Sequence, residues 1–261
     1  MRILQHMRRH FKRIASVYGH VRNTDPGIIG TIIPRLPCNK HRLDVADIGC
    51  GTGRYSTLIA SRSDRDLRIF CCDYSGAMLQ QCRKRMRLEF PSTNMQYCLI
   101  NANDLPFAHG CFDAVTSFNA VHHFDLSRFV EAAARVLRPG GLLSIYTRTP
   151  EQNARTVWGQ HFPGFAERET RLYQCERIEE AIGRVSELQL EGMQEFKHVR
   201  VEAVGSLLNR ARNFHYSTFT LYAADEFRLA LETFAKRMAD ISKKGKIKHT
   251  ARNTMVFVRR I

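Results

Sequence analysis

Three glycines alternate with other residues in one short stretch, at Gly49, Gly51 and Gly53. They follow an apolar run that begins at Leu43 and predicts a buried strand ending in a tight turn. Glycine lets the backbone turn sharply and approach a ligand closely. A helix is predicted directly after the turn, so its first amide groups would face the same ligand. The stretch therefore predicts a ligand site at the end of a strand.

An acid supports this site. Asp73 ends the second predicted strand, twenty residues past Gly53, and a carboxylate at that place can accept both hydroxyls of a ribose. The glycine stretch is G-x-G-x-G, with Arg54 where the dinucleotide fingerprint has its last glycine. There is also no G-K-[ST] for a phosphate-binding loop.

The elements that position these residues alternate between strand and helix, which predicts an α/β fold with a parallel sheet and right-handed crossovers. Ligands of such sheets bind beyond the carboxyl ends of the strands. The predicted strands cover 43–49, 67–72, 97–101, 112–118 and 142–146, and the predicted helices cover 55–61, 76–90 and 126–137.

Less regular segments flank this core. Residues 3–18 have the spacing of an amphipathic helix. Beyond the core we predict a helix around 180–182, a strand over 188–201, helices over 204–212 and 224–239, and a closing strand over 253–259. We predict a solvated loop for the basic run of Lys243, Lys244, Lys246, Lys248 and Arg252.

Charge is the unusual bulk property of the 261-residue chain. Forty basic and 25 acidic residues give a net charge of +15 and a pI near 9.8. This favours an anionic partner such as nucleic acid, acidic lipid, or a carboxylated or phosphorylated small molecule, although a solvated basic face explains it equally well. No apolar stretch approaches the ~20 residues of a membrane span, and no signal peptide is recognisable. We therefore expect a cytoplasmic protein.

The eight cysteines are interpreted as reduced thiols, because no CxxC pair or Cys/His ligand spacing occurs. No metal site is predicted. Binding of arsenite would need three converging thiolates, and the cysteines of the core fall on predicted strands and turns, which argues against it: Cys50, Cys71, Cys72, Cys98 and Cys111.

Residues 44–146 resemble the class I S-adenosylmethionine-dependent methyltransferases, of the small-molecule type related to ubiquinone and menaquinone biosynthesis. The motifs occur in the family's order: Asp47–Gly53, Asp73, Asn101–Phe107, Cys111–Val115 and Leu137–Gly141. The resemblance implies a Rossmann-like, seven-stranded, mostly parallel sheet with helices on both faces, an N-terminal helical lid and a C-terminal helical insertion. We expect the lid over 1–36 and the methyltransferase domain over 37–261, with its core at 43–147 and substrate-site insertions at about 148–175 and 203–240.

The implied cofactor, S-adenosylmethionine, carries a sulfonium, an ammonium and a carboxylate but no phosphate, so its site needs acids and close backbone. Asn101 stands where relatives often have Asp, and its amide oxygen can still accept from the adenine amino group. The predicted cofactor-binding residues are Tyr18, Arg22, Asp47, Gly49, Cys50, Gly51, Gly53, Asp73, Tyr74, Asn101, Ala102, Asn103 and Asn119.

His122 and His123 are the candidate general bases, needed only if the acceptor must lose a proton. In relatives, histidines at this place often serve packing or positioning. The predicted acceptor site contains cations that could clamp a carboxylate or phosphate; the alternative is surface arginines beside an aromatic core. Its residues are Arg148, Trp158, Arg210, Arg212, His215 and Tyr216.

The predicted function is methyl transfer to a small anionic or aromatic acceptor, which yields S-adenosylhomocysteine. An RNA or tRNA methyltransferase is the first alternative. The net charge favours it, but Asn119-Ala120-Val121-His122 is not the N/D-P-P-Y/F of base-amine enzymes, and no Pro-Cys nucleophile occurs there. A cofactor-binding protein without turnover is the second alternative. The oligomeric state is left open.

Overall fold

The structure is a computed structural model that describes residues 11–15, 23–38 and 40–261. Residues 11–15 are helical, as predicted; Tyr18, Arg22 and the rest of the predicted helix over 3–18 lie outside the described residues. The chain divides into two compact units. The sheet unit comprises 24–147, 174–194 and 254–261. The aromatic unit comprises, of the described residues, 11–15, 23, 148–173 and 195–253.

Seven strands form one sheet in the order β3-β2-β1-β4-β5-β7-β6. Strands β1 to β5 pair in parallel, and β7 runs antiparallel to β5. The strand order reverses between β1 and β4, which is where ligands of such sheets bind. The strands are β1 (Arg42–Ile48), β2 (Asp66–Asp73), β3 (Asn94–Leu99), β4 (Phe112–Phe118), β5 (Leu137–Thr147), β6 (Leu188–Ala203) and β7 (Lys246–Arg260).

Two helices of the core begin with a side-chain cap. The Ser75 hydroxyl accepts from Met78 N at the start of α3, and the Asp125 carboxylate accepts from Arg128 N at the start of α4. The α-helices of the described residues are α1 (Ile29–Ile32), α2 (Arg54–Arg62), α3 (Gly76–Glu89), α4 (Leu126–Val136), α5 (Pro150–Ala154), α6 (Val157–His161), α7 (Phe165–Arg168), α8 (Cys175–Gly183), α9 (Val204–Arg212) and α10 (Ala224–Ile241). None of these is long and apolar enough to cross a membrane.

Salt bridges join the amino ends of β1 and β4. Asp113, at 2% exposure, accepts from Lys40 Nζ and Arg138 Nη1, both at 2.7 Å, and from the backbone N of Asp44 at 2.9 Å. Asp44 itself accepts from Arg68 Nε at 2.6 Å and Arg138 Nη2 at 3.1 Å. Burial opposes ionisation of Asp44, but Arg68 and Arg138 outweigh it and lower the pKa of Asp44.

The aromatic unit is built around a buried cluster, which we call the aromatic cluster. Trp158 stacks on Phe234 with the ring centroids 5.0 Å apart. The short helix α5 in this unit has Pro150 at its first position. It is capped by Thr149, which forms a capping box with Gln152. The main members of the cluster are Trp158, Phe162, Phe165, Phe219 and Phe234.

Two local predictions are wrong. The basic run was predicted to be a loop, but from Lys246 onward it forms the first part of β7. In this part, exposed Lys246 and Lys248 alternate with buried Ile247. Alternation with period two is the pattern of a strand, and the density of charge hid it. The helix predicted to reach residue 137 ends at Val136, and β5 begins directly after it.

Candidate active site

The glycine turn is bonded to the end of β2. The backbone N atoms of Gly49 and Cys50 donate to the carbonyl oxygen of Cys72, at 2.8 and 3.0 Å. Gly49, Gly51 and Gly53 have φ values of +73°, +57° and +74°. Since this left-handed region is costly for residues with a side chain, the turn needs glycine at all three positions.

Close packing adds a second reason for glycine. A methyl group at Gly49 would lie 2.5 Å from Cβ of Ala120, and one at Gly53 would lie 2.5 Å from Sγ of Cys82. Neither distance is compatible with van der Waals contact. The glycines therefore bring the turn against the segment after β4 and against α3.

Asp73 ties the turns after β1 and β2 together. Its Oδ2 accepts from Gly51 N at 2.9 Å and its Oδ1 from Ser75 N at 2.8 Å. Burial raises the pKa of Asp73 to about 6, while the backbone N–H groups act in the opposite direction. An ionised carboxylate has about four lone-pair positions. The backbone groups of Gly51, Ser75 and Tyr74 use up to three of them, so at least one remains for a ribose hydroxyl.

Asp47 is buried at 1% exposure and lies among hydroxyls. Ser56 Oγ donates to its Oδ2 at 2.6 Å, and Thr116 Oγ1 lies 3.4 Å from its Oδ1. Burial raises the pKa of Asp47 to about 7. The sequence analysis missed both hydroxyl residues, although a threonine in the middle of the apolar strand β4 was a signal for a polar partner.

The predicted adenine segment has its own hydrogen bonds. The Asn101 side-chain oxygen accepts from Asn103 N at 3.1 Å, and the Asn103 side-chain oxygen accepts from Asp125 N at 2.9 Å. Ala102 is buried, Asn101 is exposed, and Tyr74, next to Asp73, is half-buried. These bonds fix the loop after β3, and the second lone pair of the Asn101 oxygen remains for a ligand.

Asn119 and the two histidines follow β4. Asn119 has a left-handed φ of +54°, and its backbone N donates to Tyr146 O at 2.7 Å. His122 and His123 lie in the 3₁₀ turn Val121–His123, half-buried, with ring centroids 4.0 Å apart. The strand end thus places the candidate bases directly after Asn119.

The segment before α1 is anchored beside the glycine turn. Arg54 Nη1 donates to Thr24 Oγ1 at 2.8 Å. Tyr146 OH donates to Asp25 Oδ2 at 2.8 Å, and Asp25 N donates to Tyr55 OH at 3.3 Å. The lid itself, with Tyr18 and Arg22, stays a prediction because those residues lie outside the described part of the chain.

The predicted acceptor residues lie in the aromatic unit. Trp158 and His215 are buried, 4.8 Å apart between ring centroids, and Tyr216 lies 4.3 Å from His215. Arg148 Nη1 donates to Tyr216 OH at 3.2 Å. Arg210 makes an ion pair of 2.6 Å with Glu202, which offsets its charge. Arg212 is exposed.

Three cysteines of the sheet unit converge, which the sequence analysis argued against. The Sγ atoms of Cys50, Cys71 and Cys82 all lie within 4.8 Å of one another. Hydrogen bonds from Cys50 and Cys82 lower the pKa of Cys71, whereas burial raises the pKa of Cys50. Strand alternation explains the gathering, because Cys71 and its neighbour Cys72 point to opposite faces of β2. Cys72, on the other face of β2, is the register partner of Cys98 on β3.

The site fits a nucleoside that carries positive charge. It offers a turn without side chains and two buried acids, Asp47 and Asp73, which form no ion pair with any described cation. At least one acceptor position of Asp73 remains for a ribose hydroxyl. Two arginines lie at the glycine turn: Arg54 donates to Thr24 Oγ1 at 2.8 Å, and Arg85 Nη1 donates to the carbonyl oxygen of Thr52 at 3.2 Å.

Residues 46–145 match the family described as "Methyltransferase domain". This region is therefore a methyltransferase domain, and it contains the motifs by which the sequence resembles the class I S-adenosylmethionine-dependent methyltransferases.

Curated relatives match part of the chain. The chain is 35% identical over 115 residues to "Probable tRNA methyltransferase 9B" of Mus musculus (42% of this chain, 23% of the relative). It is 31% identical over 164 residues to "tRNA (carboxymethyluridine(34)-5-O)-methyltransferase ALKBH8" of Mus musculus (61% and 22%). It is 27% identical over 113 residues to "2-phytyl-1,4-naphtoquinone methyltransferase" of Trichormus variabilis (42% and 49%). The chain thus spans less than half the length of each.

Solved structures share the fold. Geranyl diphosphate C-methyltransferase from Streptomyces coelicolor A3(2) aligns with a TM-score of 0.57 and 15% identity over 90% of this chain and 79% of that chain. The [4+2]-cyclase SpnF aligns with a TM-score of 0.60 and 17% identity over 90% and 81%. At such identities the likeness extends to the fold alone.

Proposed function

We propose that the chain transfers the methyl group of S-adenosylmethionine to a small anionic acceptor. The observation that carries the proposal is the carboxylate of Asp73, held at the glycine turn by Gly51 N and Ser75 N without a described cationic partner. Such a carboxylate is preorganised for a ribose, and the buried Asp47 leaves this end of the sheet receptive to positive charge.

In this proposal, Asp73 binds the ribose and the Asn101–Asn103 segment borders the adenine. Backbone around Gly49 and Asn119 binds the methionine end. When bound, the cofactor supplies an electrophilic methyl group on a positively charged sulfur. The residues of the chain supply alignment and exclusion of water, which are the main sources of rate for an in-line transfer.

The anionic character of the acceptor is supported by a cleft within the aromatic unit. The cleft has a volume of about 470 Å³, within the range of small-molecule sites. Arg155 pairs with Glu151, His249 with Glu202 and Arg252 with Glu195. Lys248 has no ion pair among the described residues, so it is the cation of the cleft that is left for an anionic ligand. The cationic residues that line it are Arg155, His161, Lys248, His249 and Arg252.

A tRNA acceptor is the second candidate, because two of the relatives above carry tRNA methyltransferase in their names. One of those names specifies O-methylation of a carboxymethyluridine, for which the missing base-amine motif after Phe118 is no obstacle. A free carboxylate and a carboxylate on RNA share the same chemistry at the accepting oxygen. Both are already ionised near pH 7, so neither needs a general base.

The cofactor site is tested by calorimetry with S-adenosylhomocysteine. Asp73→Asn is expected to weaken binding about 10- to 100-fold, because hydrogen bonds to a charged group contribute about 1.5–3 kcal/mol each. Asp66→Asn, an exposed acid at the opposite end of β2, is the matched control and should bind as the wild type does. Equal affinity of Asp73→Asn and the wild type would refute the ribose role.

The acceptor is tested with methyl-tritiated S-adenosylmethionine and cell extract separated into RNA and low-mass fractions. Label in the low-mass fraction is expected, and Asp73→Asn should abolish it. Ribonuclease-sensitive label would instead establish the RNA alternative. Cofactor binding without label in either fraction would favour a binding protein without turnover.

We propose His122 or His123 as the base only for an acceptor that must lose a proton. In that case, replacement of the active histidine by alanine should lower the rate and change its pH dependence. A loss below threefold at both positions would exclude the role and would agree with a carboxylate acceptor.

A further inference from the structure

The three converging thiols come from three different elements at the glycine turn. Cys50 lies within the glycine turn, Cys71 lies on β2 and Cys82 lies on α3. Cys71 and Cys82 are buried, and Cys50 is half-buried. The sulfur atoms of the three cysteines lie within 4.8 Å of one another.

This spacing is close to what a shared ion requires. Zinc–thiolate bonds are about 2.3 Å long, so three sulfurs around one ion lie about 3.8–4.0 Å apart. The sulfurs of Cys50, Cys71 and Cys82 would therefore move by less than an ångström. Soft thiolate ligands select thiophilic ions over the hard cations that prefer oxygen.

We propose that Cys50, Cys71 and Cys82 form a binding site for one thiophilic divalent ion of the Zn²⁺ or Cd²⁺ type. Each thiol that coordinates the ion releases its proton to solvent, and no electron transfer takes place.

The proposed metal site is part of the glycine turn and contacts it from a second side. Cys50 stands between Gly49 and Gly51, and Gly51 donates to Asp73. On the other side of the turn, a methyl group at Gly53 would already lie 2.5 Å from Sγ of Cys82. Drawing the sulfurs of Cys50 and Cys82 toward an ion therefore displaces the turn. We expect a bound ion to weaken cofactor binding, and this part of the inference rests on the proposed function.

A second pair of thiols provides the matched control. Cys72 and Cys98 are register partners on β2 and β3, and two thiols form a poorer site than three. The double variant C72S/C98S removes as many sulfurs as C71S/C82S but leaves the proposed site intact.

The test is a titration of the reduced full chain with Cd²⁺ alone, followed by thiolate-to-cadmium ultraviolet absorption and native mass spectrometry. One ion per chain is expected for the wild type and for C72S/C98S, with at least tenfold weaker binding by C71S/C82S. Absence of stoichiometric binding by the wild type would overturn the site. So would equal binding by C71S/C82S.

Alkylation of the wild type makes the test independent of whether the variants fold. Cadmium should protect half-buried Cys50 from iodoacetamide, while half-buried Cys98 and exposed Cys38 stay reactive as internal controls. Protection of Cys98 in place of Cys50 would contradict the assignment.

Calorimetry with S-adenosylhomocysteine, with and without Cd²⁺, tests the link. The affinity of the wild type should fall at least tenfold with cadmium, and that of C71S/C82S should not respond. Cadmium binding without this fall would refute the link. Absence of S-adenosylhomocysteine binding by the metal-free protein would refute the proposed function while leaving the metal site in place.

Discussion

The two ends of the parallel strands place carboxylates in opposite surroundings. At the amino ends, Asp44 and Asp113 form salt bridges with Arg68, Arg138 and Lys40. At the carboxyl ends, Asp47 and Asp73 accept only from hydroxyls and backbone amides among the described residues. Strand β1 carries both kinds, since Asp44 and Asp47 are three residues apart.

The pKa values record this difference. Salt bridges lower the pKa of Asp44, whereas burial raises that of Asp47 to about 7 and that of Asp73 to about 6. A paired acid stabilises the fold, and an unpaired buried acid costs stability but keeps its negative charge available to a ligand. Salt bridges therefore stabilise the amino ends of the strands, whereas the carboxyl ends hold the acids to which we assign cofactor binding in our proposal.

Removal of a salt-bridged acid should have the largest effect. Asp113→Ala leaves Arg138 without its closest partner and the backbone N of Asp44 without its acceptor. We expect the free energy of unfolding to fall by about 3–5 kcal/mol, measured by urea denaturation. Lys40→Ala is the control: because Lys40 is 42% exposed, its loss should cost less than about 1 kcal/mol. Similar losses for both variants would contradict a buried network centred on Asp113.

Removal of an unpaired acid should act in the opposite direction. The pKa of Asp47 is raised from 3.8 to about 7 in the folded protein, so the folded state binds its proton more tightly than the unfolded state. This stabilisation is complete below about pH 4 and is lost as the pH rises to about 7. Asp47→Asn should thus be more stable than the wild type at pH 8, by about 2–4 kcal/mol.

The measurement is urea denaturation between pH 6 and 8. The titration of Asp73, with a pKa of about 6, contributes to the slope of both proteins, so the difference between the two slopes reports Asp47. The slope of stability against pH should flatten in Asp47→Asn. The prediction would be wrong if the slope were unchanged or if Asp47→Asn were less stable than the wild type at pH 8. Either result would show that the ionised Asp47 carboxylate does not destabilise the fold.

Alanine substitutions at two glycines should have a smaller effect on stability, and they distinguish backbone strain from side-chain contact. Gly53 and Gly140 have φ values of +74° and +77°, but only Gly53 has a neighbour, Cys82, within 4 Å of an added methyl group. Gly140→Ala should lose about 1–2 kcal/mol from backbone strain, and Gly53→Ala should lose more and also bind S-adenosylhomocysteine more weakly. Equal losses with unchanged binding would show that contact with Cys82 does not position the turn.

The sequence was sufficient for the part of the fold in which hydrophobic pattern, glycine and length agree. Strand β4 and helix α9 have the predicted bounds, and the other core strands differ by a few residues at their ends. The short helices α5–α7 were missed because fewer than six residues give too little periodicity. The start of β7 was missed because its exposed face is lysine, which is typical of loops.

The sequence predicted which residues would form the candidate site, but not which side chains would contact them. Glycine spacing indicated the turn, and position at a strand end indicated Asp73. The hydroxyls on Asp47 and the meeting of Cys50 with Cys71 and Cys82 depend on which face of each element turns inward, and on contacts between elements distant in sequence. The sequence also contained no signal that Glu202 would offset the charge of Arg210.

The double attachment of Asp73 makes side-chain length, as well as charge, a requirement at this position. Its two oxygens reach Gly51 N and Ser75 N at the same time, and this fixes how far the carboxylate extends from β2. Glutamate carries the same charge on one more methylene group, so it could not keep both amides and leave the same space for a sugar. In the proposed cofactor site, position 73 therefore sets the distance between the backbone and the nucleoside, and aspartate has the length that this distance requires.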